Sequence, residues 1–176
     1  MPPRYGKDHS SQCRIRICNL CYGRQVILFS VMINYCAEGS LYGFNLDLGI
    51  TGVNSNGWSK IDFQAVDKKA TVVGCGMRFF VFKTTNEMFS AGNNECGQRG
   101  CGQGNNNNIM PVKFGNNVLL GQDQNSVISD VGRVISEVIK ISCGYQHCIL
   151  LTSKGLLFGT GCSYQHQLGL FLIMLV

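Results

Sequence analysis

The clearest alternation of apolar and polar segments lies towards the C-terminal end of the chain. Residues 138–141 are mostly β-branched and apolar, and residues 147–152 form a short continuous apolar run. Runs of this length bounded by glycine predict strands, and an unbroken apolar run predicts a strand that is buried on both faces. Residues 153–155 predict a tight turn, and residues 156–158 predict the return strand. This segment is therefore predicted to be a small antiparallel sheet.

The same order of segments occurs more than once. Residues 74–92 align with residues 142–161, and residues 38–49 retain an eroded third copy with a short tail. A small sheet cannot bury both of its faces alone, so copies of it must pack against one another. Radial packing of antiparallel sheets is the architecture of a β-propeller. The repeat therefore predicts an all-β chain of stacked antiparallel sheets.

The repeats also divide the chain into segments. Between the two clear copies, seven of the 24 residues at 103–126 are asparagine, and this composition predicts a surface loop. The predicted segments are a basic, cysteine-containing arm at 1–24, repeats at about 25–52, 70–102 and 138–170, the asparagine-rich insertion at 103–126, and an apolar tail at 171–176.

Two motifs inside the repeats resemble those of the regulator of chromosome condensation repeat. That family has a small-small-Gly-x-x-His signature, which is similar to Ser142-Cys143-Gly144 followed by His147, and a glycine- and glutamine-containing tail, which is similar to residues 91–100. Arg99 stands where that tail usually has leucine, and Phe79 replaces the histidine in the middle copy. The residues that carry the resemblance are Gly76, Gly92, Asn94, Gly97, Gln98, Gly100, Gly144, His147, Gly161, Gln167 and Gly169.

The resemblance implies a β-propeller, typically of seven four-stranded blades. This chain has sequence for about three blades, so a partial propeller is expected, either as a fragment or as an unclosed ring. The implied function is a protein-interaction scaffold, and the alternative is a guanine nucleotide exchange factor for a Ran-like small GTPase. The expected partner is accordingly a protein, with a small GTPase as the alternative. The resemblance also places His147 inside a blade, where a ring nitrogen is expected to bond to backbone groups.

The net charge of +5 is concentrated at the N-terminus, where residues 1–24 hold five basic residues against Asp8 alone. Spaced cations of this kind can contact phosphates, so the arm is a candidate for nucleic-acid or chromatin contact. The interpretation that we favour is a solvated, loosely ordered terminus, as chain ends often are. The remainder of the chain is nearly neutral, so any such contact is expected only at the arm.

Ten cysteines are scattered along the chain, and no clear secretion signal precedes them. We interpret them as mostly reduced thiols of an intracellular protein, cytoplasmic or nuclear, that act as small apolar residues. One cluster is a zinc candidate because Cys18 and Cys21 have the two-residue gap that lets two thiolates bind one tetrahedral zinc ion, with His9 and Cys13 nearby. Their spacing is irregular and is not repeated downstream, so no metal is assigned.

No residue pattern predicts catalysis. His147 has no serine, cysteine or carboxylate that a motif places beside it, as a nucleophilic mechanism requires. A phosphate-binding G-x-x-x-x-G-K loop is absent from the sequence, and no apolar run reaches the roughly 18–20 residues of a membrane-spanning helix. The sequence therefore predicts no enzyme activity, no cofactor and no membrane partner.

Overall fold

The computed structural model describes residues 14–16, 19–22, 25–28, 32–35, 40–44, 59–64, 69–102, 108–113, 118–120 and 131–169. Within these residues the secondary structure is almost entirely β. The strands are β1 (Arg14–Arg16), β2 (Asn19–Tyr22), β3 (Gln25–Leu28), β4 (Met32–Tyr35), β5 (Leu41–Phe44), β6 (Ser59–Ile61), β7 (Val72–Gly76), β8 (Phe79–Lys83), β9 (Met88–Gly92), β10 (Met110–Pro111), β11 (Val118–Leu120), β12 (Val138–Cys143), β13 (His147–Thr152) and β14 (Leu157–Gly161), and a short helix, α1 (Val131–Glu137), precedes β12.

These strands form three four-stranded antiparallel sheets in the described part of the chain. Sheet 1 has the order β1-β4-β5-β6, sheet 2 the order β10-β9-β8-β7, and sheet 3 the order β11-β14-β13-β12. The strands β2 and β3 pair with each other in a separate hairpin, which lies between β1 and β4 along the chain. The edge strand beside β5 in sheet 1 is β6, and the edge strand beside β9 in sheet 2 is β10; each follows its neighbour along the chain. In sheet 3 the edge strand beside β14 is β11, which precedes the other three strands along the chain.

The sheets pack face to face through two apolar cores. The first core joins Leu41, Ile61 and Phe63, on the sheet 1 side, to residues of sheet 2. It contains an aromatic cluster in which the rings of Phe63 and Phe82 are 4.8 Å apart, centroid to centroid, and edge-on. Edge-on aromatic pairs add stability beyond the area that they bury. Sheet 1 and sheet 2 are therefore joined mainly by large side chains.

The second core lies between sheet 2 and sheet 3. Its members are Phe79, Val81, Met88, Val112, Ile135, Val138, Ile141, Cys148, Leu150 and Phe158. Sheet 2 is thus covered on both faces, and all five residues of β8 are buried. In β13 buried and half-buried residues alternate, so one face of sheet 3 is covered and the other is open. The prediction that residues 147–152 are buried on both faces is wrong, because the described chain supplies a covering sheet on one side only.

Two segments differ from their sequence predictions. The asparagine-rich insertion contains β10 and β11, the outer strands of sheets 2 and 3, so it is more than a surface loop. The predicted N-terminal arm contains β1, which pairs with β4 in sheet 1. Short edge strands carry little sequence signal because partner strands supply their hydrogen bonds, and composition does not report a partner.

Candidate interaction surface

At one end of sheet 2, and at the same end of sheet 3, two connecting segments lie beside each other. The first turn joins the first and second strands of the sheet, at residues 77–78 and 145–146, and the second is the tail after the third strand, at residues 93–100 and 162–169. In sheet 2 the Asn93 amide donates to the carbonyl oxygen of Arg78 at 2.7 Å, and in sheet 3 the Cys162 amide donates to that of Gln146 at 2.8 Å. We call the exposed residues of these turns and tails the tail-turn surface.

Glycine is required where each tail leaves its sheet. Gly92 has φ +99° and Gly161 has φ +101°, a backbone conformation that side chains strongly disfavour. A Cβ atom would also lie 2.2 Å from the Arg78 carbonyl oxygen at Gly92, and 2.3 Å from the Gln146 carbonyl oxygen at Gly161. The two marker glycines of the repeat thus allow the tail to approach the neighbouring turn.

The tail of sheet 2 is held by its own amide side chains. The buried Gln98 accepts a hydrogen bond at Oε1 from the Cys96 amide at 2.8 Å and donates from Nε2 to Asn93 Oδ1 at 2.6 Å. Asn94 Oδ1 accepts from the Arg99 amide at 3.1 Å. Buried amide groups satisfied in this way fix the backbone, so these motif residues shape the tail.

The tail of sheet 3 repeats this geometry with fewer side chains. Gln167 Oε1 accepts from the Gln165 amide at 2.8 Å, as Gln98 does for Cys96 in sheet 2. His166 occupies the position of Gly97 and has φ +56°. Gly169, which ends the tail at φ +68°, donates its amide hydrogen to the His166 carbonyl at 2.8 Å. The same turn therefore forms although the first glycine of the motif is missing.

The burial of Arg99 and its hydrogen bonds to backbone carbonyls are features that the sequence did not predict. Arg99 is 1% exposed and donates from Nη2 to the Ser90 carbonyl at 3.0 Å and from Nη1 to the Gly92 carbonyl at 3.2 Å. Nη2 also donates to the Asn108 carbonyl. Burial lowers the pKa of this guanidinium. The signal that pointed to it was its place at a motif position that holds buried Leu168 in the next copy.

His147 lies at the start of β13 with its ring over a glycine. A Cβ at Gly144 would lie 2.2 Å from His147 Cε1, just as a Cβ at Gly76 would lie 2.0 Å from the ring of Phe79. Burial lowers the pKa of His147. The structure shows no hydrogen bond from this ring to another described residue, so packing on Gly144 holds the ring in place of the expected backbone bond.

Tyrosine side chains dominate the outward side of the tail-turn surface. Tyr164 is 84% exposed and Tyr145 is 44% exposed, both at the same end of sheet 3. Arg78 and Glu95 are exposed at the corresponding end of sheet 2. Thr160 Oγ1 donates to the Gly97 carbonyl at 2.8 Å, a hydrogen bond that joins the two sheets at this end. The surface is therefore continuous across sheets 2 and 3.

The zinc and nucleic-acid predictions concern the N-terminal arm. His9, Cys13 and Cys18 lie outside the described residues, and Cys21 is placed in β2 by its backbone alone. Arg14 and Arg16 are in β1. Both predictions remain predictions. In the part of the chain that the structure describes, no group of three or more histidine, cysteine, aspartate or glutamate residues has the arrangement of a metal site.

Comparison with known proteins agrees with the repeat geometry. Residues 138–167, which span β12 to the tail of sheet 3, match the family model described as the regulator of chromosome condensation (RCC1) repeat. Over these residues the chain is similar to the RCC1 repeat. The match includes Gly144, His147, Gly161 and Gln167, so the residues that shape the tail-turn end of sheet 3 lie inside the matched segment.

A solved structure supports the same fold. The chain is similar to human WBSCR16 with a TM-score of 0.53 and 23% identity, over 77% of this chain and 32% of that one. It also matches the crystal structure of Kap60 bound to yeast RCC1 (Prp20), with a TM-score of 0.47 and 15% identity, over 81% of this chain and 31% of that one. The chain thus spans about a third of each of these structures. Its three sheets are blades of a partial, unclosed β-propeller.

None of the curated proteins compared matches this sequence. Within the described ranges, no helix has both the length and the apolar character needed to cross a membrane.

Proposed function

We propose that this chain is a protein-interaction module in which the propeller blades hold a binding surface and perform no chemistry. The observation that carries the proposal is the tail-turn surface. Hydrogen bonds between turns and tails fix its backbone, while Tyr145 and Tyr164 extend into solvent. Tyrosine is enriched among the residues that dominate binding energy, and a rigid backbone lowers the entropy that association costs.

The polar residues of the repeat motif support this assignment by what they bind. Gln98 and Asn94 form hydrogen bonds with backbone amides of the tail, and His147 packs on Gly144. These groups therefore stabilise the sheets, and recognition is left to the exposed residues around them. The protein partner meets a surface with two tyrosines, one exposed arginine and one exposed glutamate.

The test compares affinity capture by three purified forms of the chain. The wild type, the double variant Tyr145→Ser/Tyr164→Ser and the control Ile139→Ser are immobilised, and the bound proteins are quantified by mass spectrometry. Ile139 is a matched control because it is 56% exposed on the same sheet. We expect partners to be retained by the control and reduced at least tenfold by the double variant, since truncating aromatic anchors costs about 1–2 kcal/mol each. Equal capture by all three forms would remove the tail-turn surface as the binding site.

Nucleotide exchange on a Ran-like GTPase remains the alternative function, because the resemblance to the regulator of chromosome condensation repeat also implies this activity. Exchange requires a wide face formed by several blades, and the chain spans about a third of the propellers that it matches. The discriminating measurement is release of labelled GDP from the GTPase. We expect the rate with this chain to equal the intrinsic rate, and acceleration would establish exchange as the activity.

We also propose an intracellular location, cytoplasmic or nuclear. The cysteines whose side chains are described are all thiols outside any disulfide: Cys75, Cys96, Cys101, Cys143, Cys148 and Cys162. Reduced thiols in this number are typical of reducing compartments. Fractionation of source cells, with the chain detected by antibody, tests this location. Recovery in the secreted fraction would contradict it.

A further inference from the structure

Two cysteines of sheet 3 face each other across neighbouring strands. Cys143 ends β12 and Cys148 is the second residue of β13, and the two are direct partners in the antiparallel register. Their Sγ atoms are 2.9 Å apart. A disulfide bond has an Sγ–Sγ distance of about 2.05 Å, so the two sulfur atoms lie within about 1 Å of bonding distance.

The backbone at this position already suits a disulfide. The Gly144 amide donates to the His147 carbonyl at 2.9 Å, which makes Gly144 and His147 a hydrogen-bonded pair. Pairs alternate along an antiparallel ladder, so Cys143 and Cys148 form the next, non-hydrogen-bonded pair. Such pairs have a Cα–Cα distance of about 4.5 Å, inside the range of about 4.4–6.8 Å that disulfides span. The bond can therefore form by a small side-chain movement.

We propose that Cys143 and Cys148 are a reversible oxidation site, at which a low-molecular-weight disulfide of the glutathione type converts the dithiol into a cross-strand disulfide. The Cys143 thiolate attacks one sulfur of the oxidant, which forms a mixed disulfide and releases one free thiol. The Cys148 thiolate then attacks Cys143 Sγ, forms the protein disulfide and releases the second thiol. The protein loses two electrons and two protons, and the two released thiols carry them.

The order of attack follows from exposure. Cys143 is half-buried, whereas Cys148 is 0% exposed, so an oxidant in solution reaches Cys143 first. Cys143 Sγ also points towards sheet 2, because a Cβ on Gly74 would lie 3.1 Å from it. A glutathione group on Cys143 would have to occupy this narrow space between the sheets. That crowding favours its displacement by Cys148, which is already in contact.

A second pair of thiols provides an internal comparison. Cys96 and Cys162 lie in the tails of sheets 2 and 3, and both are half-buried. Burial, together with the neighbouring Cys162 thiol, raises the pKa of Cys96. A raised pKa lowers the thiolate fraction and slows attack on a disulfide. Cys143 and Cys148 are in addition direct partners in one antiparallel register with Sγ atoms 2.9 Å apart, so their oxidation is expected before any link between the two tails.

The experiment equilibrates the purified chain in buffers of increasing oxidised-to-reduced glutathione ratio. Remaining thiols are blocked with N-ethylmaleimide, and tryptic peptides are measured without reduction. Cleavage after Lys140 and Lys154 leaves both cysteines in one peptide, residues 141–154. We expect this peptide to lose both maleimide labels and the mass of two hydrogen atoms, at a lower ratio than any link between Cys96 and Cys162.

Three variants make the test specific. Cys148→Ser should accumulate the glutathione mixed disulfide on Cys143, because the resolving thiol is gone. Cys143→Ser should leave Cys148 unmodified in the folded chain, because Cys148 is buried. Cys162→Ser removes the competing pair and should leave oxidation of peptide 141–154 unchanged. A peptide that keeps both maleimide labels at every ratio would overturn the proposal, as would a tail-to-tail link that forms first.

Discussion

At the scale of single residues, the repeat motif is a set of backbone requirements. Gly92 and Gly161 permit a close approach of tail to turn, and Gly144 and Gly76 leave space for a ring above them. The polar motif residues satisfy buried amides within the tail. The motif can thus be identified in the sequence, because the local backbone at each position is compatible with few residue types.

The requirement at Gly92 gives a direct test. Gly92→Ala places a Cβ 2.2 Å from the Arg78 carbonyl oxygen at φ +99°, and we expect a loss of about 3 kcal/mol in the free energy of unfolding. Gly97→Ala is the matched control, because Gly97 also has positive φ, +73°, but nothing lies within 4 Å of its Cβ position. The control should lose about 1–2 kcal/mol. Urea titrations measure both values, and equal losses would contradict the proposed close approach.

His147 gives a pH-dependent prediction. Burial holds its pKa below the ordinary value of 6.5 in the folded chain, so the unfolded chain binds its proton more readily. Stability should therefore be highest above pH 6.5 and should fall as the pH drops from there through the lowered pKa. His147→Phe, which copies Phe79 of the middle repeat, should reduce this slope, whereas His166→Asn on the exposed tail should keep it. Urea midpoints measured across this pH range test the prediction.

At the scale of elements, burial differs between equivalent positions of sheets 2 and 3. Val81 pairs with Gly74 and Ser90, and Ile149 pairs with Ser142 and Gly159 in the same register. Val81 is 2% exposed because sheet 3 covers it, whereas Ile149 is half-buried on the open face. The difference between the two strands therefore arises from their neighbours and not from their own sequences.

This difference predicts unequal mutational costs. Val81→Ala should lower the free energy of unfolding by about 2 kcal/mol, because it leaves a cavity between two sheets. Ile149→Ala should lower it by less than about 1 kcal/mol, although it removes more atoms, because solvent already reaches that face. Denaturant unfolding of both variants tests the prediction. A cost at Ile149 as large as that at Val81 would show that the open face is covered in solution.

The same comparison explains how far the sequence could be interpreted. The strand at residues 147–152 and the turn at 153–155 were predicted within a residue or two, because local periodicity and glycine determine them. The open face of β13 could not be predicted, since an apolar run does not reveal which of its faces is covered. The helix α1 and the edge strands β10 and β11 were missed because tertiary partners stabilise them. In the site, the tail motif was identified in sequence, whereas Arg99 and the exposed tyrosines required the structure.

At the scale of the whole molecule, the sheets depend on the surfaces between them. Sheet 3 approaches sheet 2 closely at Gly74, where a Cβ would lie 2.4 Å from Ile141 Cγ2. The sheets share one core at this boundary, and repeat proteins derive their cooperativity from such interfaces. The wild-type chain should therefore unfold sheets 2 and 3 together.

A larger side chain at Gly74 should separate the two unfolding events. Gly74→Leu forces the sheets apart without disturbing a positive φ, so we expect the single transition to split and sheet 3 to lose hydrogen-exchange protection at lower urea than sheet 2. Gly155→Ala is the control, because Gly155 lies in an exposed turn with φ +79° and nothing within 4 Å of its Cβ position. It should lower stability by about 1–2 kcal/mol and keep one transition. Hydrogen exchange of peptides from β8 and β13 distinguishes the outcomes. If both peptides of Gly74→Leu still lost protection together, coupling between the sheets would not depend on their close approach at Gly74.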